Sequence, residues 1–193
     1  MKIKNLMFLL LALLILLCSC NKIPVEKPTP LFKQICITGS STYGIKEDGS
    51  LWIWGFDTES QKEPQKIVDD VLYVYSGPIR RKYSLTYYVY VIKTDYTLWL
   101  YRGTLESEKI MDDVKFVSRG SGYTMAIKTD NTLWAWGANS GYQLTDKIDV
   151  YRGTDTPTQI MEDVIFVSAS DWHTMVIKSD NTLWGGGVPM MVG

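Results

Sequence analysis

A twelve-residue phrase occurs four times in this chain, and it constrains the fold more than any other feature. Its copies read GIKEDGSLWIWG, VIKTDYTLWLYR, AIKTDNTLWAWG and VIKSDNTLWGGG, at residues 44–55, 91–102, 126–137 and 176–187. A sequence that repeats on this scale builds stacked copies of one structural unit. Residues present in every copy are therefore expected to hold the unit together, and function is expected where one copy departs from the others.

Each repeat is predicted to contain short antiparallel strands. In the third copy, strands are predicted at Val114–Ser118, Tyr123–Lys128 and Thr132–Trp136. The Asp130-Asn131 pair joins the last two, and we predict a two-residue hairpin turn with positive φ at both residues. Tyr96 replaces the Asn in the second copy, and its side chain disfavours positive φ. That turn is therefore expected to adopt another type or to be the least regular of the four.

The last strand of each repeat is apolar on both faces. In the first copy, Leu51 and Ile53 point to one side of the sheet and Trp52 and Trp54 to the other. Such a strand must be covered on both sides, and small sheets stacked around an axis provide that cover. The sequence predicts an all-β fold of β-propeller-type blades, with about four repeats of 35–50 residues. A β-sandwich is the alternative, but it does not account for near-identical units.

The repeat resembles that of the regulator of chromosome condensation family. The resemblance rests on AIKTDNTLWAWG at 126–137 and on the following Gly141-Tyr142-Gln143-Leu144, and it covers essentially all of 31–187. It implies a seven-bladed propeller, of which about four blades are present, so an open or incomplete ring is expected. Three explanations stay open: a truncated or frameshifted reading frame, an arc completed by self-association, and a closed four-bladed ring. The first two together are favoured.

The N-terminal residues are predicted to direct export and anchoring. A short apolar run, Leu6–Leu17, follows a basic start and suits a signal peptide. The Leu-Cys-Ser-Cys ending resembles the bacterial lipobox, which implies that Cys20 carries a lipid anchor; an ordinary secretory signal is the alternative. We thus predict a lipoprotein signal peptide at 1–19, a Pro-rich tether at 20–30 and the repeat domain at 31–193. The protein is expected to be extracytoplasmic, anchored to a bacterial membrane of the cell envelope.

The sequence contains no motif for catalysis, and we predict that the protein is not an enzyme. The pairs Asp69-Asp70, Asp112-Asp113 and Glu162-Asp163 recur before a strand in three repeats, which favours turns over a catalytic pair. The single histidine, His173, has no companion ligands for a metal, and no cofactor is predicted. A formal net charge of −1 argues against nucleic acid as a partner. Cys36, within an apolar run, is predicted to be a small buried hydrophobe.

Candidate partner-binding residues lie where the repeats differ. Arg80, Arg81, Lys82 and Tyr83 belong to a stretch of about eight extra residues in the second copy. Arg and Tyr are favoured at interfaces, although a solvated insertion without a partner is the alternative. Trp172 and His173 form a second candidate, with a packed loop histidine as its alternative. The predicted function is non-catalytic recognition of a protein or other macromolecule at the cell envelope. Inhibition of an extracellular enzyme and binding or processing of carbohydrate are the alternatives.

Overall fold

The described part of the protein is built from β-strands. The computed structural model describes residues 31–38, 41–55, 63–81, 84–102, 106–144, 148 and 152–187, with side chains outside 77–88, 102 and 106. Residues from Phe32 onward form one unit. Its strands are β1 (Phe32–Ile37), β2 (Ser41–Lys46), β3 (Leu51–Gly55), β4 (Gln65–Val68), β5 (Val71–Arg81), β6 (Ser84–Lys93), β7 (Leu98–Arg102), β8 (Glu106–Met111), β9 (Val114–Arg119), β10 (Tyr123–Lys128), β11 (Leu133–Gly137), β12 (Thr154–Met161), β13 (Val164–Ala169), β14 (His173–Lys178) and β15 (Leu183–Gly187).

These strands form four antiparallel sheets, one for each repeat. Blade 1 is β1–β4, blade 2 is β5–β8, blade 3 is β9–β12, and blade 4 is the three-stranded sheet β13–β15. The all-β prediction is confirmed, and the strands predicted in the third copy are found within a residue of their predicted ends. Gly185–Gly187 continue β15, where they pair with β14. The described part of the chain contains no helix with the length and apolar character that crossing a bilayer requires.

Successive blades pack face to face. We call the face toward the following blade the exit face and the face toward the preceding blade the entry face. Between blades 1 and 2, Ile45 and Leu51 of the exit face are buried against Val71 and Val74 of the entry face. Equivalent clusters join blade 2 to blade 3 and blade 3 to blade 4. Each blade–blade contact is therefore a copy of one apolar joint, and burial of its side chains stabilises the stack.

The recurring acidic pairs belong to the backbone of these joints. The amide of Val71 donates to the carbonyl of Gly49 at 2.9 Å, and the amide of Thr94 donates to the carbonyl of Asp70 at 2.8 Å. The same two bonds recur at Asp113 and Asp163 in the next two joints. Asp70 has a φ of 61°, which Asp tolerates better than most residues. These pairs form tight connections between strands, as predicted, and the bonds described here are accepted by their backbone carbonyls.

The hairpin turns differ from the prediction. The amide of Lys128 donates to the carbonyl of Thr132, and the amide of Asn131 donates to the carbonyl of Lys128. These bonds enclose a three-residue turn, in which only the last residue needs positive φ. Asn131, the last residue, has a φ of 69°, whereas the φ of Asp130 is not positive. The expectation for Tyr96 is also wrong, because it has a φ of 62° in an equally bonded turn.

The residues shared by the four copies of the repeat form a chain of hydrogen bonds, which we call the relay. In blade 3, Asp130 Oδ1 accepts from the amide and hydroxyl of Thr132, at 3.0 and 2.7 Å. The same hydroxyl accepts from Nε1 of Trp134 at 2.9 Å, and the ammonium of Lys128 lies 5.0 Å from the Trp134 ring centre. Blades 1, 2 and 4 repeat the arrangement at Trp52, Trp99 and Trp184. The residues of the Lys-x-Asp-x-Thr-Leu-Trp pattern therefore stabilise the structure of each blade.

The described blades form an arc with two uncovered ends. On the entry face of blade 1, Ile35 is 60% exposed, whereas its counterparts Val74, Val117 and Val167 are buried. On the exit face of blade 4, Leu183 is 64% exposed, whereas the equivalent leucines of the other blades are fully buried. The prediction of an open or incomplete propeller is confirmed, and the alternative of a closed four-bladed ring is wrong.

Candidate functional site: the loop end of the blades

The two ends of the blades differ in their connections. At one end, which we call the turn end, lie the three-residue turns and the acidic crossovers. At the other, the loop end, lie the connections between first and second strands and between third and fourth strands. Arg80 and Arg81 are the last two residues of β5, next to its connection with β6, and the connection between β13 and β14 carries Trp172. The strand order therefore places both predicted partner-binding segments at the loop end.

The hairpin of blade 2 is extended beyond those of the other blades. Its strands pair as far as Arg81↔Ser84, which is five residue pairs beyond Ser76↔Val89. The corresponding pair in blade 3, Arg119↔Thr124, is the last one before the loop. At about 3.3 Å per residue, the extension adds about 16 Å of ribbon at the loop end. The backbone of Arg80 and Arg81 lies in this ribbon, whereas Lys82 and Tyr83 lie outside the described residues.

Trp172 and His173 have different environments although they are neighbours in the chain. Trp172 is 61% exposed, so most of its ring is available to a partner. His173 is partly buried, its Nδ1 lies 3.3 Å from the hydroxyl of Ser170, and its carbonyl accepts from the hydroxyl of Tyr123 at 2.9 Å. His173 thus holds the loop against blade 3, while Trp172 presents an apolar surface.

Between blades 3 and 4 lies a cavity that the sequence did not predict. Its volume is about 310 Å³, and Tyr142 and Trp184, each about half exposed, lie at its margin. In the preceding joint, Trp136 fills the equivalent entry-face position, but blade 4 has Gly186 there. The substitution of Trp by Gly removes the side chain that would occupy this space. The sequence shows the replacement of Trp by Gly within Gly185–Gly187. It does not indicate that the ring of Tyr142 would lie beside the resulting cavity.

The segment after β11 is held firmly beside this cavity. The side-chain amide of Asn139 donates to the carbonyl of Ile148 at 2.7 Å, and Asn139 Oδ1 accepts from the amide of Leu144 at 2.9 Å. Gln143 is buried and donates to the carbonyl of Ala138 at 3.1 Å. These polar residues satisfy the backbone of an irregular loop, which positions Tyr142 at the loop end.

The resolved pKa shifts of the buried groups follow from desolvation. Burial raises the pKa of Tyr75 to about 12 and raises that of Tyr123, because both phenols lie between blades. Burial also raises the pKa of the Cys36 thiol, against a smaller lowering by its hydrogen bonds with Ser76. Cys36, predicted to be a small buried hydrophobe, packs against the core between blades 1 and 2 but is only half-buried. Within the described residues, no three His, Cys, Asp or Glu side chains are grouped to hold a metal ion.

Comparisons with known proteins identify the repeat and the fold. A family model for the regulator of chromosome condensation (RCC1) repeat matches residues 130–177. A search of curated proteins found no match. Among solved structures, the chain is similar to the crystal structure of Kap60 bound to yeast RCC1 (Prp20), with a TM-score of 0.63, 13% identity and coverage of 82% of this chain and 44% of that chain. It is also similar to human WBSCR16, with a TM-score of 0.65, 13% identity and coverage of 86% and 49%.

A third similar structure is the N-terminal domain of Nup159, with a TM-score of 0.51, 13% identity and coverage of 84% of this chain and 42% of that chain. The chain spans about half the length of the solved structures that it matches. At such low identity, the similarity concerns the fold and not the activity. The sequence repeat and the blades together show that the described chain is a β-propeller arc containing a segment that matches the RCC1 repeat.

Proposed function

We propose that this protein is a non-catalytic interaction module that binds a protein partner at the loop end of its blades. The extended β5–β6 hairpin is the main contact. The observation that carries the proposal is the asymmetry of this hairpin: blade 2 alone among the described blades pairs its first two strands five residues further. The other described blades form their sheets without such an extension, so the blade structure does not require it.

The chemistry of the ribbon suits a protein surface. It carries Arg80 and Arg81 on described backbone, with Lys82 and Tyr83 adjoining them in the sequence. Arg and Tyr are enriched among residues that dominate binding energy at interfaces, and Trp even more so. Trp172, at the same end, contributes an exposed ring. Yeast RCC1, to which the chain is similar in fold, is seen bound to Kap60, so a protein with this fold can have a protein partner.

The proposed place of action is the cell envelope. It rests on the sequence of residues 1–20, which lie outside the described residues. Cys20 is proposed to carry the lipid that attaches the module to the membrane, with residues 20–30 as tether. Labelling of cells with a fatty-acid analogue tests this, because Cys20→Ala should abolish incorporation and Cys36→Ala should not. Equal labelling of the Cys20→Ala variant would contradict the anchor.

Capture from the envelope fraction tests the hairpin. The chain in which Arg80, Arg81 and Lys82 are replaced by Ala should lose at least tenfold of its captured partner relative to the unsubstituted chain. The matched control replaces three other cations, Lys33, Lys66 and Lys109, by Ala. Lys66 and Lys109 form exposed ion pairs, which contribute little to stability. Equal capture by all three proteins, or equal loss in both variants, would refute a specific role for the hairpin.

Carbohydrate binding is a second candidate, favoured by the cavity between blades 3 and 4. Its volume lies at the small end of the range for ligand sites, and the rings of Tyr142 and Trp184 are exposed at its margin. Sugar rings stack on such aromatic faces through their apolar C–H groups. Oligosaccharide titration followed by Trp fluorescence tests this candidate. A saturable change that Trp184→Ala removes would support it, and no change with any sugar up to millimolar concentrations would exclude it.

A further inference from the structure

We propose that a second copy of this chain covers both uncovered ends of the arc. The exit face of blade 4 in each copy packs on the entry face of blade 1 in the other, and the two copies close a ring of eight blades. This self-association uses the faces of the terminal blades and not the loop end, so it is independent of the function proposed above.

The structure contains the required interface three times. In each joint, the exit face is made mainly by the second and third strands, with partly buried residues of the fourth strand such as Met111 and Met161. It packs on an entry face made by the first two strands of the next blade, which the third strand joins in the first two joints. Blade 4 has no fourth strand among the described residues. The two uncovered faces are one entry face and one exit face. Together they provide the parts of the repeated joint that the first three strands of a blade contribute.

The exit face of blade 4 shares three large apolar side chains with that of blade 3. Met125, Ile127 and Leu133 of blade 3 are buried against blade 4. Their counterparts in blade 4 are Met175, Ile177 and Leu183, which carry the same three residue types but are partly or largely exposed. A surface of this composition already binds an entry face within this molecule, which identifies an entry face as its fitting partner.

The entry face of blade 1 has the corresponding apolar character. Phe32 and Ile35 stand where the other blades have buried valines, such as Val114 and Val117. Gly44 stands where the others have Val or Ala, and the Phe32 ring lies over it, within 2.7 Å of the place that a Cβ would occupy. The larger Phe and the smaller Gly compensate for each other, so the face remains filled and apolar.

A second copy satisfies both faces at once. When copies associate head to tail, every face is covered only if the rotation from one copy to the next closes a ring. Two arcs of four blades give eight, which is within the four to eight blades typical of closed propellers. Covering the apolar side chains of both faces, including Ile35 and Leu183, would bury apolar surface that is exposed in the single chain and so stabilise the dimer.

An engineered cross-link tests the predicted contact directly. At the joint of blades 3 and 4, the amide of Ala169 donates to the hydroxyl of Ser118 at 2.9 Å. The equivalent positions across the proposed contact are Ser168 of one copy and Ile37 of the other. The chain with Ser168→Cys and Ile37→Cys should give a covalent dimer in high yield with a short bis-maleimide. Each single variant is the control for the natural cysteines and should give no more dimer than the unsubstituted chain.

Solution mass and charge substitution complete the test. The full chain should have the mass of two copies at tens of micromolar, after subtraction of any bound detergent. Ile35→Lys and Leu183→Lys should each shift it to one copy, with at least a tenfold weaker association. Ile165→Lys is the matched control, because Ile165 is similarly exposed but stands where blades 1 and 3 carry Lys33 and Lys115, and it should remain dimeric. A monomer at these concentrations, a polymer of indefinite mass, or dimers that survive both face substitutions would overturn the proposal.

Discussion

Replacement of one leucine by alanine at two equivalent positions should have very different effects on stability. Leu133 and Leu183 occupy the same place in the repeat, at the start of the third strand of their blades, and both are preceded by the same Asp-Asn-Thr sequence. Leu133 is fully buried because blade 4 covers it, whereas Leu183 is 64% exposed because no described blade follows. Local sequence is thus held constant while the covering blade is varied.

The expected magnitudes follow from these exposures. Leu133→Ala removes a fully buried side chain and leaves a cavity, which lowers the free energy of unfolding by about 2–5 kcal/mol. Full burial of a leucine side chain contributes about 1.5–3 kcal/mol, and Leu183 retains roughly a third of that burial. Leu183→Ala should therefore lower the free energy of unfolding of the single chain by about 0.5–1 kcal/mol, without a cavity term.

Urea unfolding followed by Trp fluorescence measures both effects. The measurement is made over a dilution series, since self-association would bury Leu183, and the values at the lowest concentration are compared. At higher concentration, the effect of Leu183→Ala should grow and that of Leu133→Ala should not. Equal losses at the lowest concentration would refute the reasoning, because they would mean that Leu183 is covered within its own chain.

Three further predictions concern single side chains. Tyr96→Asn should raise the free energy of unfolding by about 0.5–1 kcal/mol, and Asn131→Tyr should lower it by a similar amount. Both positions need positive φ, which Asn adopts more readily than Tyr. Urea unfolding of the two variants checks this prediction, and changes of the same sign would contradict it. Hydrogen bonds from Thr132 lower the pKa of Asp130 in the folded state, so its contribution to stability is present above the ordinary carboxyl pKa of about 3.9 and is lost as pH falls toward the lower folded value. Thr132→Val should raise the pKa of Asp130, as measured by NMR titration, and an unchanged value would exclude the relay as its cause. Burial raises the pKa of Cys36, so iodoacetamide should alkylate it at pH 8 several-fold more slowly in the folded chain than in urea, and equal rates measured by mass spectrometry would show an accessible thiol.

The sequence predicts the strands of the blades well because the residue patterns that specify them are local and occur in several repeats. The strand Tyr123–Lys128 is found where its apolar pattern places it, and the acidic pairs form turns as their recurrence indicates. The hairpin turns were predicted wrongly because Asp130-Asn131 reads as a two-residue turn. In the structure, the Asp130 carboxylate accepts a hydrogen bond from the Thr132 amide, and the turn contains three residues.

The candidate site is less predictable because it depends on which ends of the strands come together. The basic insertion and Trp172 are 90 residues apart, counting from Lys82, and nothing local relates them. Their shared position follows from strand order, since both join a first strand to a second. The cavity depends on two blades at once, because the absence of a side chain at Gly186 matters only beside the loop that carries Tyr142.

Hydrogen exchange of the third strands tests most directly the central claim that the described blades form an arc whose last described blade has three strands. β11 lies between β10 and β12, whereas β15 pairs only with β14 among the described strands. In mass spectrometry of peptic peptides, the amides of β11 should be protected throughout, and those of β15 that point away from β14 should exchange orders of magnitude faster. The proposed dimer covers the face of blade 4 and not this edge, so the expectation holds for either oligomeric state. Equal protection of β11 and β15 would contradict the account, because it would show that a fourth strand completes the last blade.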